Sequence, residues 1–250
     1  MGDRSGQSGR LVILAGPSGI GKSPLAEALR RLYPHRTEGI EPLVLYNSRP
    51  PRPGERDGQD YYFRSREAIE AMRGRDDCLV REVRGDLQAL DLTALGEQLA
   101  GGDVLYEGNP TWAQVLCERA PAATRRRFSV FISPLSVREI RCFQDASADV
   151  AAIVADVMRR KLLRRTRAQK GELSRPDLQE VERRCGSAYE ELKQAWRFDH
   201  VLANHDGEDS ENWSAFGRRI GDAGRAVRNV AALLAGESAD TEPWSRDLFE

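Results

Sequence analysis

The stretch Gly16-Pro17-Ser18-Gly19-Ile20-Gly21-Lys22-Ser23 follows the apolar run Leu11–Ala15 and opens the helical pattern Pro24–Tyr33. It is a full G-x-x-x-x-G-K-S motif, and its place between a buried strand and an amphipathic helix makes it a phosphate-binding loop. The glycines let the backbone curl until successive N–H groups point at phosphate oxygens, and the helix N-terminus adds partial positive charge. Gly16, Ser18, Gly19 and Gly21 are therefore expected to line the phosphates of a nucleoside triphosphate. Lys22 reaches the β- and γ-phosphates, and the Ser23 hydroxyl is placed to ligate magnesium. Of the 38 Lys and Arg residues only Lys22, Lys161, Lys170 and Lys193 are lysine, so Lys22 is the sole lysine among the first 160 residues. A compact ammonium on a flexible stem suits a phosphate pocket better than a planar guanidinium.

Working outward, short apolar runs alternate with helical patterns. Further strands are expected at Leu43–Tyr46, Cys78–Val83, Val104–Tyr106, Phe128–Ile132 and His200–Ala203. This alternation predicts an α/β fold, a mostly parallel sheet flanked by helices. The helix after the loop carries Leu25, Ala28, Leu29 and Leu32 on one face. Later helical stripes run through Val150, Ile153, Val154, Val157, Met158 and Leu162; through Leu178, Val181, Cys185, Leu192 and Trp196; and through Trp213, Phe216, Ile220, Val227, Val230 and Leu234. The polar residues 1–10 read as a flexible arm, and the acidic residues 236–250 as a loosely ordered tail.

Composition closes off other classes. The 250 residues carry 38 basic and 39 acidic side chains, for a net charge of −1. That balance argues against nucleic acid as a partner. No run approaches the roughly 18–20 apolar residues of a membrane span, so no membrane is expected as a partner. Met-Gly opens the chain, but Gly6 stands where a myristoylation signal needs Ser or Thr. Cys78, Cys117, Cys142 and Cys185 lie at least 25 residues apart, the pattern of buried, reduced thiols in a cytoplasmic protein.

The next informative segment is Tyr46-Asn47-Ser48-Arg49-Pro50-Pro51-Arg52-Pro53-Gly54-Glu55, continuing through Asp57-Gly58 and Asp60-Tyr61-Tyr62-Phe63. Two arginines held among three prolines form a stiff loop that offers guanidinium forks to an anion. Together with the phosphate loop, this segment resembles the guanylate kinase family, whose loop G-P-S-G-x-G-K-S precedes a segment similar to S-R-x-P-R-x-G-E-x-x-G-x-D-Y. The resemblance implies a P-loop NTPase-type fold with an acceptor-binding subdomain near 42–91 and a helical lid near 138–196, inside a kinase domain spanning 11–235. It implies ATP as donor, Mg2+ as cofactor, and Arg49, Arg52 and Tyr61 as the grip on the acceptor phosphate.

The likeness continues at Phe131-Ile132-Ser133-Pro134-Leu135-Ser136, similar to a family strand and turn. Arg184 falls where the family places a lid arginine. Asn204-His205-Asp206 looks like the family's Asn-Asp-Asp element, which implies Asn204 near the adenine. The basic run Arg159–Arg175 reads either as a solvated helix face or as the lid, with Arg164, Arg165 and Arg167 as candidates to cover the γ-phosphate; Arg165 is the one chosen.

The base-reading half departs from the family pattern. The family's serine four residues before the first acceptor arginine is Leu45, and its G-N-x-Y-G-[ST] segment is Gly85-Asp86-Leu87-Gln88-Ala89-Leu90. A base-reading glutamate has no match near Leu79, and such losses bear strongly on discrimination. Arg84, Asp86, Gln88 and Asp91 stand open to two readings, contacts to a base or sugar, or a plain turn into a helix; Asp86 and Gln88 are the substrate-binding candidates. Glu107, ending the strand Val104–Tyr106, is either a magnesium-positioning acid or an N-terminal charge for the helix expected near Thr111.

The expected activity is ATP-dependent phosphorylation of a nucleoside monophosphate, GMP foremost, with Lys22, Arg49, Arg165 and Arg184 catalytic. The rivals are a kinase of another phosphorylated small molecule and a non-catalytic interaction module. An intact phosphate loop speaks against the module.

Overall fold

All five residues of Leu11–Ala15 (β1) are buried, as a central parallel strand requires. In the computed structural model, which describes residues 9–52, 54–119 and 127–249, β1 is followed by the helices Lys22–Leu32 (α1) and Pro34–Thr37 (α2). The strands Ile40–Pro42 (β2), Tyr46–Asn47 (β3) and Tyr62–Phe63 (β4) and the helix Arg66–Glu70 (α3) come next. The hairpin Cys78–Val83 (β5) and Asp86–Asp91 (β6) leads to Leu92–Gly101 (α4), Asp103–Gly108 (β7), Pro110–Arg119 (α5) and Arg127–Ser133 (β8). Three helices follow, Val137–Asp145 (α6), Val150–Lys170 (α7) and Arg175–Leu192 (α8), and then His200–Ala203 (β9) and Gly221–Leu234 (α9).

A five-stranded sheet has the order β2-β7-β1-β8-β9, and a four-stranded sheet the order β4-β3-β6-β5. The pairs β2–β7 and β8–β9 are parallel. The smaller sheet is antiparallel at β3–β6 and β5–β6 and parallel at β3–β4. The chain divides into two compact units. One is built mainly from Gly39–Tyr106; the other takes Leu14–Glu38, Glu107–Gln114 and the long C-terminal part from Ser129.

In the first unit α3 lays Ile69 on Leu87 and Ala89 of β6, with Tyr46, Met72 and Val80 packed around them. In the second, Val130, Phe131 and Ile132 of β8 and Val201 and Leu202 of β9 are buried, and the Phe131 and Phe198 rings lie 5.2 Å apart. Helices start on side-chain caps where the sequence supplies them. Ser136 and Ser174 form capping boxes with Glu139 and Asp177, and Asp91 and Asp149 accept from the first turns of α4 and α7.

Several expectations are corrected. The strand expected at Leu43–Tyr46 is split into β2 and β3 on either side of it. Residues 86–91 are not a turn into a helix but the strand β6; Arg84 (φ 54°) and Gly85 (φ 89°) form the two-residue, positive-φ connection typical of a tight hairpin. The third helical stripe is divided, with Trp213 in the single turn Glu211–Trp213 and Ile220 exposed just before α9. Leu32 and Leu178 are exposed as well. Cys78 and Cys185 are buried, but Cys117 is only partly so and Cys142 is exposed; all four are free thiols.

The acidic segment is tied down as far as Phe249. Glu242 pairs with Val201 as an antiparallel bridge, its carboxylate accepts from Val137 N–H and Trp244 Nε1, and Leu248 is buried. Residues 1–8 of the expected arm, and Glu250, lie outside the described residues.

Candidate functional site

The phosphate loop takes its shape from glycine geometry. Gly16 (φ 151°) would place a Cβ 2.5 Å from the Ile132 carbonyl oxygen, and Gly21 (φ 100°) would place one 2.8 Å from Trp213 and 2.9 Å from the Asp206 carbonyl oxygen. Neither site admits a side chain, so the backbone closes tightly at both ends of the loop. Gly21 caps α1 without any side-chain cap, which leaves the first N–H groups of the helix aimed into the loop. Lys22 is buried, and its Nζ donates to the carbonyl oxygens of Gly16 (3.0 Å) and Pro17 (2.9 Å). The ammonium is thus folded back over the cradle that the loop forms.

Ser23 Oγ donates to Glu107 Oε1 at 2.6 Å. Burial pushes the Glu107 carboxyl above its ordinary range, while the Ser23 hydrogen bond and the Lys22 charge pull the other way. A hydroxyl and a carboxylate side by side, next to a phosphate cradle, are the hard oxygen donors that magnesium takes. Glu107 does not cap α5: the Asn109 Oδ1 accepts from Trp112 N–H there.

Two long helices bring arginines to the loop's neighbourhood. Arg184 of α8 is buried, donates to Ser18 Oγ (3.0 Å), and is held by Glu180 at 2.7 Å. Arg165 of α7 pairs with Glu208 at 2.6 Å, and Glu208 N–H in turn donates to the Gly19 carbonyl. Arg165 Nε is buried without a hydrogen-bond partner. Arg164 reaches Asp209 from an exposed position, and Arg167 is exposed. Asn204 is fully buried and its Nδ2 donates to the Ile20 (2.8 Å) and Asp206 (2.7 Å) carbonyls. Asn204 thereby ties the loop at Ile20 to the segment at Asp206.

Sequence reasoning missed the supports of this loop. Lys161 of α7, buried, donates to the His205 carbonyl at 2.5 Å, and burial drives its pKa down to about 8 against the pull of Asp206 and Asp209. Trp213 Nε1 donates to the Gly207 carbonyl at 2.8 Å. His205 bridges Asp222 through Nδ1 and Glu139 through Nε2. Burial works against its charged form, but those two carboxylates carry its pKa above the usual value. The rarity of lysine was a signal for Lys161 as much as for Lys22.

The acceptor segment belongs to the other unit. Arg49 is nine-tenths buried in its side chain and makes a two-pronged pair with Glu55, Nη1 to Oε2 and Nη2 to Oε1, both 2.6 Å. Nη1 also donates to the Pro50 carbonyl. The guanidinium lies over the Tyr61 and Phe63 rings, at 5.1 and 5.4 Å. Burial alone would lower the Arg49 pKa, but Glu55, Tyr61 and Asp86 raise it, and Glu55 is lowered in turn. The edge of the guanidinium that carries Nε–H takes no part in that pair. Arg52 shares Glu55, through its backbone N–H at 2.7 Å and its Nη1 at 3.8 Å. Glu55 is therefore the organiser of the clamp, three residues after Arg52 and six after Arg49.

Asp86 and Gln88 both lie on β6. Asp91 is engaged in capping α4 and pairing Arg75, and Arg84 sits in the hairpin turn.

A family model described as guanylate kinase matches residues 8–86. A guanylate kinase of Synechococcus sp. (strain JA-3-3Ab) is 32% identical over 198 residues, 78% of this chain and 76% of the relative. The chain belongs to the guanylate kinase family. A guanylate kinase of Thiobacillus denitrificans (strain ATCC 25259 / T1) is 29% identical over 230 residues, 90% of this chain and 94% of the relative. Among solved structures, the crystal structure of guanylate kinase from Anaplasma phagocytophilum aligns over 92% of this chain and 86% of that one with a TM-score of 0.53, at 18% identity. It carries the same fold as this member of the guanylate kinase family.

Proposed function

We propose that this protein transfers the γ-phosphoryl group of ATP to a nucleoside monophosphate, with GMP as the acceptor that its family membership favours. The observation that carries the reading is the joint presence of an intact phosphate loop with Lys22 and Ser23 in place and an Arg49 guanidinium pre-set by Glu55. Magnesium, when bound, would neutralise β- and γ-oxygens; the Ser23 hydroxyl and Glu107 carboxylate are the residues that would hold it or its waters.

The chain's own residues account for the rest. Gly16, Ser18, Gly19 and Gly21 present backbone N–H groups to the donor phosphates, and Lys22 leaves the Gly16 and Pro17 carbonyls to meet their oxygens. Arg49, Arg52 and Tyr61 hold the acceptor phosphate, whose oxygen is already nucleophilic, so no general base is required. Arg165 and Arg184 neutralise the charge that spreads over the phosphoryl oxygens during transfer, and Asp86 and Gln88 contact the remainder of the acceptor. Residues 42–91 supply the acceptor subdomain and residues 138–196 the lid, in a kinase domain spanning 11–235. Among the described residues no helix is long and apolar enough to cross a membrane; the four free thiols support a cytoplasmic setting.

Leucines at 45 and 90 favour a second reading, in which another nucleotide or a sugar phosphate is the acceptor. Coupled ADP-release assays with GMP, AMP, CMP, UMP and ribose 5-phosphate test both. Saturable turnover with GMP above the others upholds the first reading; turnover with ribose 5-phosphate or another nucleotide and none with GMP replaces it with the second.

A further inference from the structure

Strand β6 divides its side chains between two faces. Leu87 and Ala89 enter the core with Ile69, Tyr46, Met72 and Val80. Asp86, Gln88 and Leu90 take the other face, where the register sets Gln88 directly opposite Asn47 of β3 and Arg81 of β5. Asn47 is buried and its Oδ1 accepts the backbone N–H of Arg49. It pairs in turn with Phe63, whose ring lies under the Arg49 guanidinium. Gln88 therefore stands on the clamp's side of the sheet, paired with Asn47.

Gln88 is only 6% exposed, yet its Oε1 has no hydrogen-bond partner. Among the described residues it is the only such buried side-chain nitrogen or oxygen in this unit. A buried acceptor left unmade costs about 1–3 kcal/mol, and native proteins rarely tolerate one without a use for it.

We propose that Gln88 Oε1 accepts an N–H from the base of the acceptor nucleotide, so that Gln88 reads the base while Arg49 and Arg52 hold the phosphate. An ionised phosphate offers acceptor oxygens alone, which complement the guanidinium and not a carboxamide oxygen. Every nucleobase presents an N–H donor on an edge, and the planar carboxamide can meet that edge in its own plane. Of the neighbouring pairs on this face, Leu79 and Leu90 offer no side-chain polar atom and Asp86, beside the hairpin turn, is only partly buried, so Gln88 is the strand's buried acceptor. The inference rests on the acceptor reading above and specifies it.

The test is calorimetric binding of GMP and of ribose 5-phosphate, which lacks a base, to the full chain without ATP. Gln88→Met and Gln88→Leu are compared with the parent protein. The expected result is GMP binding weakened about tenfold or more, ribose 5-phosphate binding unchanged, and a melting temperature no lower than the parent's, because no internal partner is lost. Unchanged GMP binding would overturn the proposal. So would an equal loss for both ligands, whether or not the variants melt early, since that pattern belongs to a packing or phosphate-side role. Failure of the underlying acceptor reading looks different: no nucleoside monophosphate would then drive ADP release by the parent protein.

Discussion

The phosphate loop and the Arg49 clamp proposed for the acceptor are built by opposite means, each in its own unit. Around Gly16–Ser23 the backbone does the holding, with closures that exclude side chains at Gly16 and Gly21 and bracing by Asn204 and Glu208. Around Arg49 a side chain is positioned by another side chain, the Glu55 carboxylate, on a bed of two aromatic rings. Backbone cradles depend on a few residue types at fixed spacing. A side-chain clamp depends on partners that can be exchanged. The donor half is therefore the part that the family pattern preserves intact, and the acceptor half is where this chain departs.

The comparison can be broken first at the loop. Lys22→Ala is expected to lower kcat about 10³-fold, the scale for losing a preorganised group that meets transition-state charge, with the melting temperature little changed; stopped assays with saturating ATP and GMP measure it. A smaller and differently distributed loss is expected from Arg49→Met, about 10²-fold in kcat/KM for GMP with the KM for ATP unaltered. Because Glu55 loses the two short bonds to Arg49 and keeps only Arg52, that variant should also melt earlier, and Arg49→Lys should not restore binding, since a lysine cannot supply the fork. Initial-rate kinetics in both substrates separates these effects.

Glu107→Gln sharpens the donor side. The magnesium concentration for half-maximal rate should rise about tenfold, in line with outer-shell ligand losses, and a magnesium titration reads it. The smallest effect concerns the bracing behind the loop. Glu139 and Asp222 are lowered from 4.5 and 3.8 and His205 is raised from 6.5. The carboxylates contribute above their unfolded values and lose that contribution as pH falls through the folded ones. His205 contributes fully below pH 6.5 and loses that as pH rises through its folded value. The stability difference between the parent protein and His205→Ala should thus be greatest between about pH 4.5 and 6.5 and shrink above it. With His205 nearly half exposed, the difference stays under about 1 kcal/mol; chemical denaturation at a series of pH values gives it.

Much of this was legible in the chain. The five apolar residues before Gly16, and the helix after it, fixed the strand–loop–helix unit because the motif tolerates no other setting. The parallel strands were readable from Phe128–Ile132 and His200–Ala203, where apolar and β-branched residues outweigh any helical period. Of the smaller sheet only Cys78–Val83 was. β3 and β4 are two residues each, too short for a periodic signal, and β6 carries Ala89 and two aspartates that score poorly as strand formers; its place comes from the hairpin turn and from Ile69 beneath it. At the site, Lys22 and Ser23 were singled out by spacing and Arg49 by the family resemblance. Glu55 stood in the family-like segment, but nothing in its spacing showed that it pairs with Arg49; Lys161, Trp213 and Glu208 were hidden because their partners are carbonyls and an arginine far along the chain.

The account stands most directly on one measurement, 31P NMR of the protein with ATP, GMP and magnesium. It predicts that GDP and ADP resonances grow together, one for one, as ATP and GMP decline, and that Lys22→Ala abolishes the change. ATP that remains unconsumed in the presence of GMP would contradict it.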